Sequence, residues 1–289
     1  FSEKMMTPEP VFLTGGAGFI GSRLSAHLAG RGHAVTAMDA AGDDRRLLNR
    51  CGVPITDYWH RDEFLRELNA GRIRPPRAMV HLGACSSTTE QDADFLMRNN
   101  FAYTRELAIW CLNHGVRFIY ASSAATYGDG SQGYDDALEA LPRLRPLNKY
   151  ALSKHAFALW ALEHGAFRGP NAITGLKYFN VYGPNESHKG EMRSMVLKAY
   201  EQIQATGTVK LFQSHRPDFA DGEQRRDFLY VKDAVAMTAW FLDHPEATGI
   251  FNIGSGVERT WNDLARAVFA ACGREPRIEY VAMPEAIRG

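Results

Sequence analysis

The sequence predicts an α/β fold, a doubly wound parallel sheet over residues 1–178 joined to a smaller mixed α/β lobe over residues 179–289. Three observations predict it. Short apolar runs of strand length stand at residues 11–14, 34–38, 78–81, 117–122 and 172–178. Long helical patterns fill the intervals, most clearly at residues 92–114 and 148–164. A glycine-rich turn, T-G-G-A-G-F-I-G at residues 14–21, joins the first strand to the first helix. Strand–helix–strand units close right-handed, so the strands lie parallel and the ligand crevice opens beyond their carboxyl ends.

The rhythm changes after Tyr178. Short strands are predicted at residues 209–212, 227–231, 249–253 and 277–280, and helices at 192–205, 233–243 and 260–272. Thr260 with Asp263 reads as a start for the last helix, weaker than the Glu/Gln form of the capping box. Residues 179–289 therefore read mainly as a lobe, with residues 227–260 returning to the first domain. Residues 129–146 are polar and proline-bearing and read as a surface loop.

Composition narrows the function classes. The 289 residues are 45% hydrophobic, enough for a large core, and carry 33 basic against 33 acidic side chains. Zero net charge offers no field for nucleic acid or an anionic membrane, and no apolar run reaches membrane-helix length. Cys51, Cys85, Cys111 and Cys272 lack metal or redox spacing, which suits reduced thiols and a cytoplasmic protein. The opening F-S-E-K-M-M-T-P-E-P lacks a signal peptide's apolar core and reads as residual tag sequence before a start near Met5 or Met6.

Gly15, Gly16, Gly18 and Gly21 satisfy the spacing of a dinucleotide floor. Glycine permits the tight turn and the close approach of backbone to a pyrophosphate, which the helix amino end then attracts. Asp39, ending the second strand, suits the free ribose hydroxyl of NAD. Arg45 and Arg46 follow within one loop and could neutralise the added phosphate of NADP. The residues alone leave that choice open.

Downstream, Tyr150 and Lys154 stand i and i+4 in Y-A-L-S-K, on one helix face. Ser123 lies just past a strand, at the crevice. A phenol of pKa about 10 is a poor base at neutral pH, and a nearby ammonium is expected to lower it. Ser123 would donate to a substrate oxygen as it gains charge. Glycine floor and Tyr/Lys pair together point to hydride chemistry on an alcohol or ketone.

The motifs G-G-A-G-F-I-G, A-S-S-A-A-T-Y-G, Y-A-L-S-K, Y-F-N-V-Y-G-P, R-D-F-L-Y-V-K-D and F-N-I-G-S-G together resemble the extended short-chain dehydrogenases that modify nucleotide sugars, built on a Rossmann domain. H-L-G-A-C-S-S-T-T-E and F-N-V-Y-G-P-N-E-S-H-K-G resemble, more narrowly, the ADP-L-glycero-D-manno-heptose 6-epimerase family. That resemblance implies oxidation of ADP-heptose at carbon 6 by tightly held NADP. The transient ketone then takes the hydride back on its other face, in lipopolysaccharide core synthesis. It also implies a second base, on Lys189, and a homopentamer.

By the same resemblance Phe19, Ile20, Asp39, Ala40, Arg46 and Arg61 would line the adenosine side of the cofactor. Leu82, Gly83, Ala84, Cys85, Ser86, Asn99, Val181 and His188 would surround the rest. Arg46, matching a phosphate-binding lysine of the family, tips the choice to NADP. The substrate would meet Asn180, Glu191, Lys198, Phe212, Gln213, Ser214, His215 and Arg226. Glu191 and Lys198 depart from the family's small polar residue and histidine, and the chain stops at Gly289, before an expected aromatic contact and closing helices.

Two other readings compete. A nucleotide-sugar 4-epimerase shares the mechanism, whereas a 4,6-dehydratase needs an Asp-Glu pair where Ala124 and Ala125 stand. A non-catalytic NADP-sensing protein could use the same fold, though such proteins lack the Tyr/Lys pair.

Overall fold

The computed structural model describes residues 10–40, 49, 52–214 and 217–283. Strands β1 (Pro10–Thr14), β2 (Ala34–Asp39), β3 (Asp57–His60), β4 (Ala78–His81), β5 (Arg117–Ser123) and β6 (Thr174–Tyr178) enter one sheet. The chain then leaves it for β7 (Asn180–Tyr182), β8 (Val209–Phe212) and β9 (Arg225–Tyr230), and returns as β10 (Gly249–Ile253). The sheet order is β10-β6-β5-β4-β1-β2-β3, all parallel. Its direction of growth reverses between β1 and β4, so a crevice opens beyond their carboxyl ends.

These strands read as continuous apolar runs because both faces are covered. Phe12, Met79, Phe118 and Tyr120 face Leu107 and Phe157, on the helices Tyr103–His114 and Lys149–Glu163. Leu13, Val35, Ile119 and Leu176 face the other way, toward Leu24, Leu28 and Val235 on the helices Phe19–Gly30 and Val231–Asp243. Ala199, Ile203, Leu264 and Phe269 form a separate core between the helices Met195–Thr206 and Trp261–Ala271. Beside it β8 pairs with β12 (Ile278–Val281), while β7, β9 and β11 (Glu258–Thr260) make a small sheet.

Several elements differ from the sequence reading. The edge strand β3 and the helix Arg61–Asn69 went unread, because D-Y-W-H is partly exposed and lacks alternation. The helical pattern at 92–114 resolves into Ala93–Leu96, a π-helical Met97–Ala102 and Tyr103–His114. Residues 129–146 are more than a surface loop: Leu141 and Leu144 are buried in the core, and Asn252 donates its side-chain amide to Tyr134 O at 2.8 Å. The capping box on Trp261–Ala271 is complete, with both the Thr260 and Asp263 side chains bonded.

A buried chain of hydrogen bonds ties the sheet centre together. Thr104 Oγ1 donates to Asn100 O at 2.6 Å, so it accepts from His81 Nε2 at 2.8 Å. His81 Nδ1 is then the acceptor for Thr14 Oγ1 at 2.6 Å, and Thr14 Oγ1 takes the Gly83 N–H at 3.1 Å. This order requires the neutral Nε2–H tautomer. Burial, helped by the positive charges of Lys154 and Arg61, holds the His81 pKa well below its ordinary 6.5. Below about pH 6.5 the unfolded chain therefore binds a proton that the folded one refuses. Stability is present above that pH and is expected to fall by about 1.4 kcal/mol per unit as pH drops toward the folded value. Urea unfolding between pH 7 and pH 5 should show this slope, and His81→Gln should reduce it to the part left by His155, which burial also lowers, to about 4.

Candidate active site

The floor of the crevice is backbone. Gly15 sits at φ 75°, and its N–H donates to Met38 O at 2.7 Å. A methyl on Gly15 would lie 2.7 Å from Gly83 N, and one on Gly21 would lie 2.0 Å from Gly15 O. No side chain caps the helix Phe19–Gly30 at Gly18, so its amino end is left to a ligand. This cradle fits the pyrophosphate of a dinucleotide. Asp39 is buried and turned inward: its carboxylate accepts Ala17 N–H at 2.9 Å and Ala40 N–H at 2.8 Å. Arg45 and Arg46 lie outside the described residues.

The loop after β4 forms one wall. Leu82 N–H donates to Thr14 O at 3.1 Å, and Cys85 N–H to Asn100 Oδ1 at 2.9 Å. Asn100, fully buried, returns its own amide to Cys85 O and to Ser153 Oγ, both at 3.0 Å. Ser153 Oγ donates in turn to Tyr150 O at 2.7 Å. Asn99 Nδ2 donates to Asn100 Oδ1 at 3.0 Å while its oxygen accepts from Arg61, which brings two expected cofactor residues together. Consecutive residues on an α-helix diverge by about 100°, and the wider π-turn at Met97–Ala102 lets both asparagines point inward. Ala84 is half-buried and Ser86 exposed along the same loop.

Asn148 caps the helix Lys149–Glu163, its side chain accepting Ala151 N–H at 2.8 Å, and so fixes where Tyr150 and Lys154 emerge. Both are buried, at 8% and 5% exposure. The Lys154 amine donates to Ala121 O at 2.9 Å, and burial lowers its pKa to about 8. The expected lowering of the Tyr150 phenol by Lys154 is not what the structure holds. Burial raises the phenol, and the hydrogen bond from Ser123 opposes that rise. Loss of water around the phenolate outweighs the neighbouring donor.

Lys189 arrives from a separate element, the tight turn Ser187–Met192. Its amine lies 5.5 Å from the centre of the Phe19 ring, at the start of the glycine-turn helix. Burial lowers its pKa, against the opposing charge of Glu186. Glu186 is buried and accepts Gly183 N–H at 3.0 Å and the Ser194 hydroxyl at 2.7 Å, which pins both ends of the turn. Thr88, in A-C-S-S-T-T-E, touches Met192 Sδ at 3.9 Å, at the far end of the turn that carries Lys189. His188 Nδ1 is 3.1 Å from Asn49 Nδ2, and Val181 pairs with Leu229 between β7 and β9.

The expected substrate positions are less concentrated. Lys198 Nζ donates to Glu191 O at 2.6 Å and stands 3.3 Å from its carboxylate, so the two departures from the family pattern pair with each other. Such an exposed pair contributes at most about 1 kcal/mol. Asn180 Nδ2 donates to Asp227 O at 3.0 Å, and Arg226 lies over the Trp261 ring at 5.9 Å. Phe212, 41% exposed, ends β8; Gln213 N–H donates to Val281 O at 2.8 Å and Ser214 N–H to the Asp221 carboxylate at 2.7 Å. His215 lies outside the described residues. Asn100 and Asn49 escaped the sequence reading; the faint signal for Asn100 is a double asparagine, a poor helix former, inside a helical stretch.

Comparison with known proteins agrees with this geometry. The NAD dependent epimerase/dehydratase family matches residues 11–254, and the chain belongs to it. A curated ADP-L-glycero-D-manno-heptose-6-epimerase from Nitratidesulfovibrio vulgaris is 51% identical over 279 residues, spanning 96% of this chain and 85% of that protein. Within the family the chain therefore belongs to the ADP-L-glycero-D-manno-heptose-6-epimerases. The crystal structure of that enzyme from Helicobacter pylori superposes with a TM-score of 0.81 at 26% identity, covering 97% of this chain and 87% of the other. A Thermus thermophilus UDP-glucose 4-epimerase in complex with NAD reaches 0.72 at 27% identity, covering 96% and 88%. The fold and a nicotinamide cofactor follow from these relatives. Among the described residues no helix is long and apolar enough to cross a membrane.

Asn100 joins the loop after β4 to the helix Lys149–Glu163, so Asn100→Leu should leave the main-chain groups of Cys85 unpaired. Chemical denaturation is expected to show a loss of about 1–3 kcal/mol, with weaker cofactor retention.

Proposed function

We propose that this crevice interconverts ADP-D-glycero-β-D-manno-heptose and ADP-L-glycero-β-D-manno-heptose by transient oxidation at carbon 6. The observation that carries the reading is the amine of the half-buried Lys189, 5.5 Å from the Phe19 ring at the glycine turn. Two proton-handling groups thus reach the crevice from separate elements, the phenol from Lys149–Glu163 and the amine from Ser187–Met192. Inversion at a carbinol needs this, because the hydroxyl proton leaves on one face and returns on the other.

A bound nicotinamide supplies the acceptor for the hydride and gives it back. Tyr150 Oη handles the hydroxyl proton on one face, steadied by its bond with Ser123. Lys189 Nζ handles it on the other, and its lowered pKa eases release of the ammonium proton. Lys154, held by Ala121 O, positions the cofactor ribose. Burial keeps the phenol protonated at rest, which suits it to donate when the ketone is reduced.

NADP is the proposed cofactor. Arg46 supports it, and so does the inward turn of Asp39, whose carboxylate is bonded to Ala17 and Ala40 amides and presents less free charge to an added phosphate. The proposed setting is cytoplasmic and the proposed assembly a homo-oligomer, a pentamer as in the resembled family. A 4-epimerase is the second reading, since the Thermus relative shares the fold. The Ala124 and Ala125 positions leave a dehydratase without its carboxylates.

Two outcomes test the reading. Purified protein given either ADP-heptose epimer in deuterium oxide, with no added cofactor, should interconvert carbon 6 without taking up label there, and denaturing it should release NADP. Change at carbon 4 alone would reassign the enzyme, and label at carbon 6 would favour enolisation. Tyr150→Phe and Lys189→Met should each abolish net epimerisation, by about 10²-fold or more; wild-type turnover in Lys189→Met would end the two-base scheme.

A further inference from the structure

Asn49 is buried at 9% exposure and belongs to no motif. Its side-chain nitrogen lies 3.2 Å from Ala17 O, 3.1 Å from Asn185 O and 3.1 Å from His188 Nδ1. Two of these partners are carbonyl oxygens, which can only accept, so the amide must present its NH2 to them. The same nitrogen lies beside His188 Nδ1, so its two hydrogens are shared among three neighbours. One side chain thus bonds to the glycine turn and, from the other side, to the segment that carries Lys189.

Neighbouring groups hold the same junction. Asn185 adopts the left-handed conformation at φ 81° and donates from its side chain to Ser22 Oγ, on the glycine-turn helix, at 3.0 Å. Asn185 and His188 bracket the buried anchor Glu186, and Lys189 follows directly. The turn is short and lacks a buried apolar side chain of its own among residues 187–192. Polar clasps, rather than core packing, are what fix its position over Phe19.

We propose that Asn49 is a positioning residue that clasps the Lys189 turn to the glycine turn and so sets the amine at its working place over the cofactor floor. The proposal deepens the epimerase reading and rests on it for the role of Lys189. It makes the second face of the reaction depend on Asn49, while the Tyr150 face, built on other elements, does not.

Two readouts test it separately. The first needs no substrate: after reductive methylation with 13C-formaldehyde, the Lys189 signal is assigned by its loss in Lys189→Met and titrated by NMR. In Asn49→Ala its midpoint should rise toward the ordinary 10.5, and an unmoved midpoint overturns the clasp. The second follows reduced nicotinamide at 340 nm in single turnover with each carbon 6 epimer. In Asn49→Ala one epimer should still reduce bound cofactor at the wild-type rate and the other about 10²-fold more slowly, the cost of misplacing a reacting group by about 1 Å. Equal slowing of both epimers, or a raised KM with kcat unchanged, overturns the assigned role. Should Asn49→Ala fail to fold, Asn49→Asp keeps the shape of the side chain, removes the donors to Ala17 O and Asn185 O, and should show the same asymmetry. Wild-type protein that oxidises neither epimer would sink the epimerase reading, while the Lys189 titration would still decide the clasp.

Discussion

The main chains leaving β1 and β4 approach so closely that neither loop tolerates a side chain at the contact. A methyl on Gly15 would meet Gly83 N at 2.7 Å, and a methyl on Gly83 would stand 3.0 Å from Thr14 Oγ1. The crevice floor is for that reason bare backbone, open to a phosphate and unable to supply chemistry of its own. Every side chain proposed to react must be delivered from farther along the chain. Tyr150 and Lys154 come from the helix Lys149–Glu163, Ser123 from the end of β5, and Lys189 from the turn Ser187–Met192.

Delivering polar groups into a closed space has a cost, and the molecule meets it with complete donor–acceptor chains. Asn100 uses its carbonyl and its amide together, on Cys85 and on Ser153. His81 is held neutral between two threonines. Glu186 spends its carboxylate on the ends of the Lys189 turn. The same burial tunes the reacting groups. It raises the Tyr150 phenol and lowers the Lys154 and Lys189 amines, moving all three toward their neutral forms.

Legibility followed locality. β1, β2, β4 and β5 could be read from short apolar runs, since a strand covered on both faces declares itself without its partners. The glycine turn and the Y-A-L-S-K pair were equally legible, because their spacing is their chemistry. β3 was not, being a partly exposed edge strand that takes its register from β2. The direction of the Tyr150 shift was also misread: a lysine one turn away argues for lowering the phenol, and only the depth of burial reverses the sign.

By itself the sequence determined the sheet's alternating architecture, the backbone floor and the spacing of the Tyr150 and Lys154 pair, because each is encoded within a few neighbouring positions. The tertiary structure alone decided the partners: Asn100 with Cys85 and Ser153, Glu191 with Lys198, Asn49 with Ala17 and His188. Those contacts span up to 139 positions in Asn49 with His188. A side-chain amide or carboxylate has no periodicity that announces its partner, so only the packed chain can say which buried donor meets which acceptor.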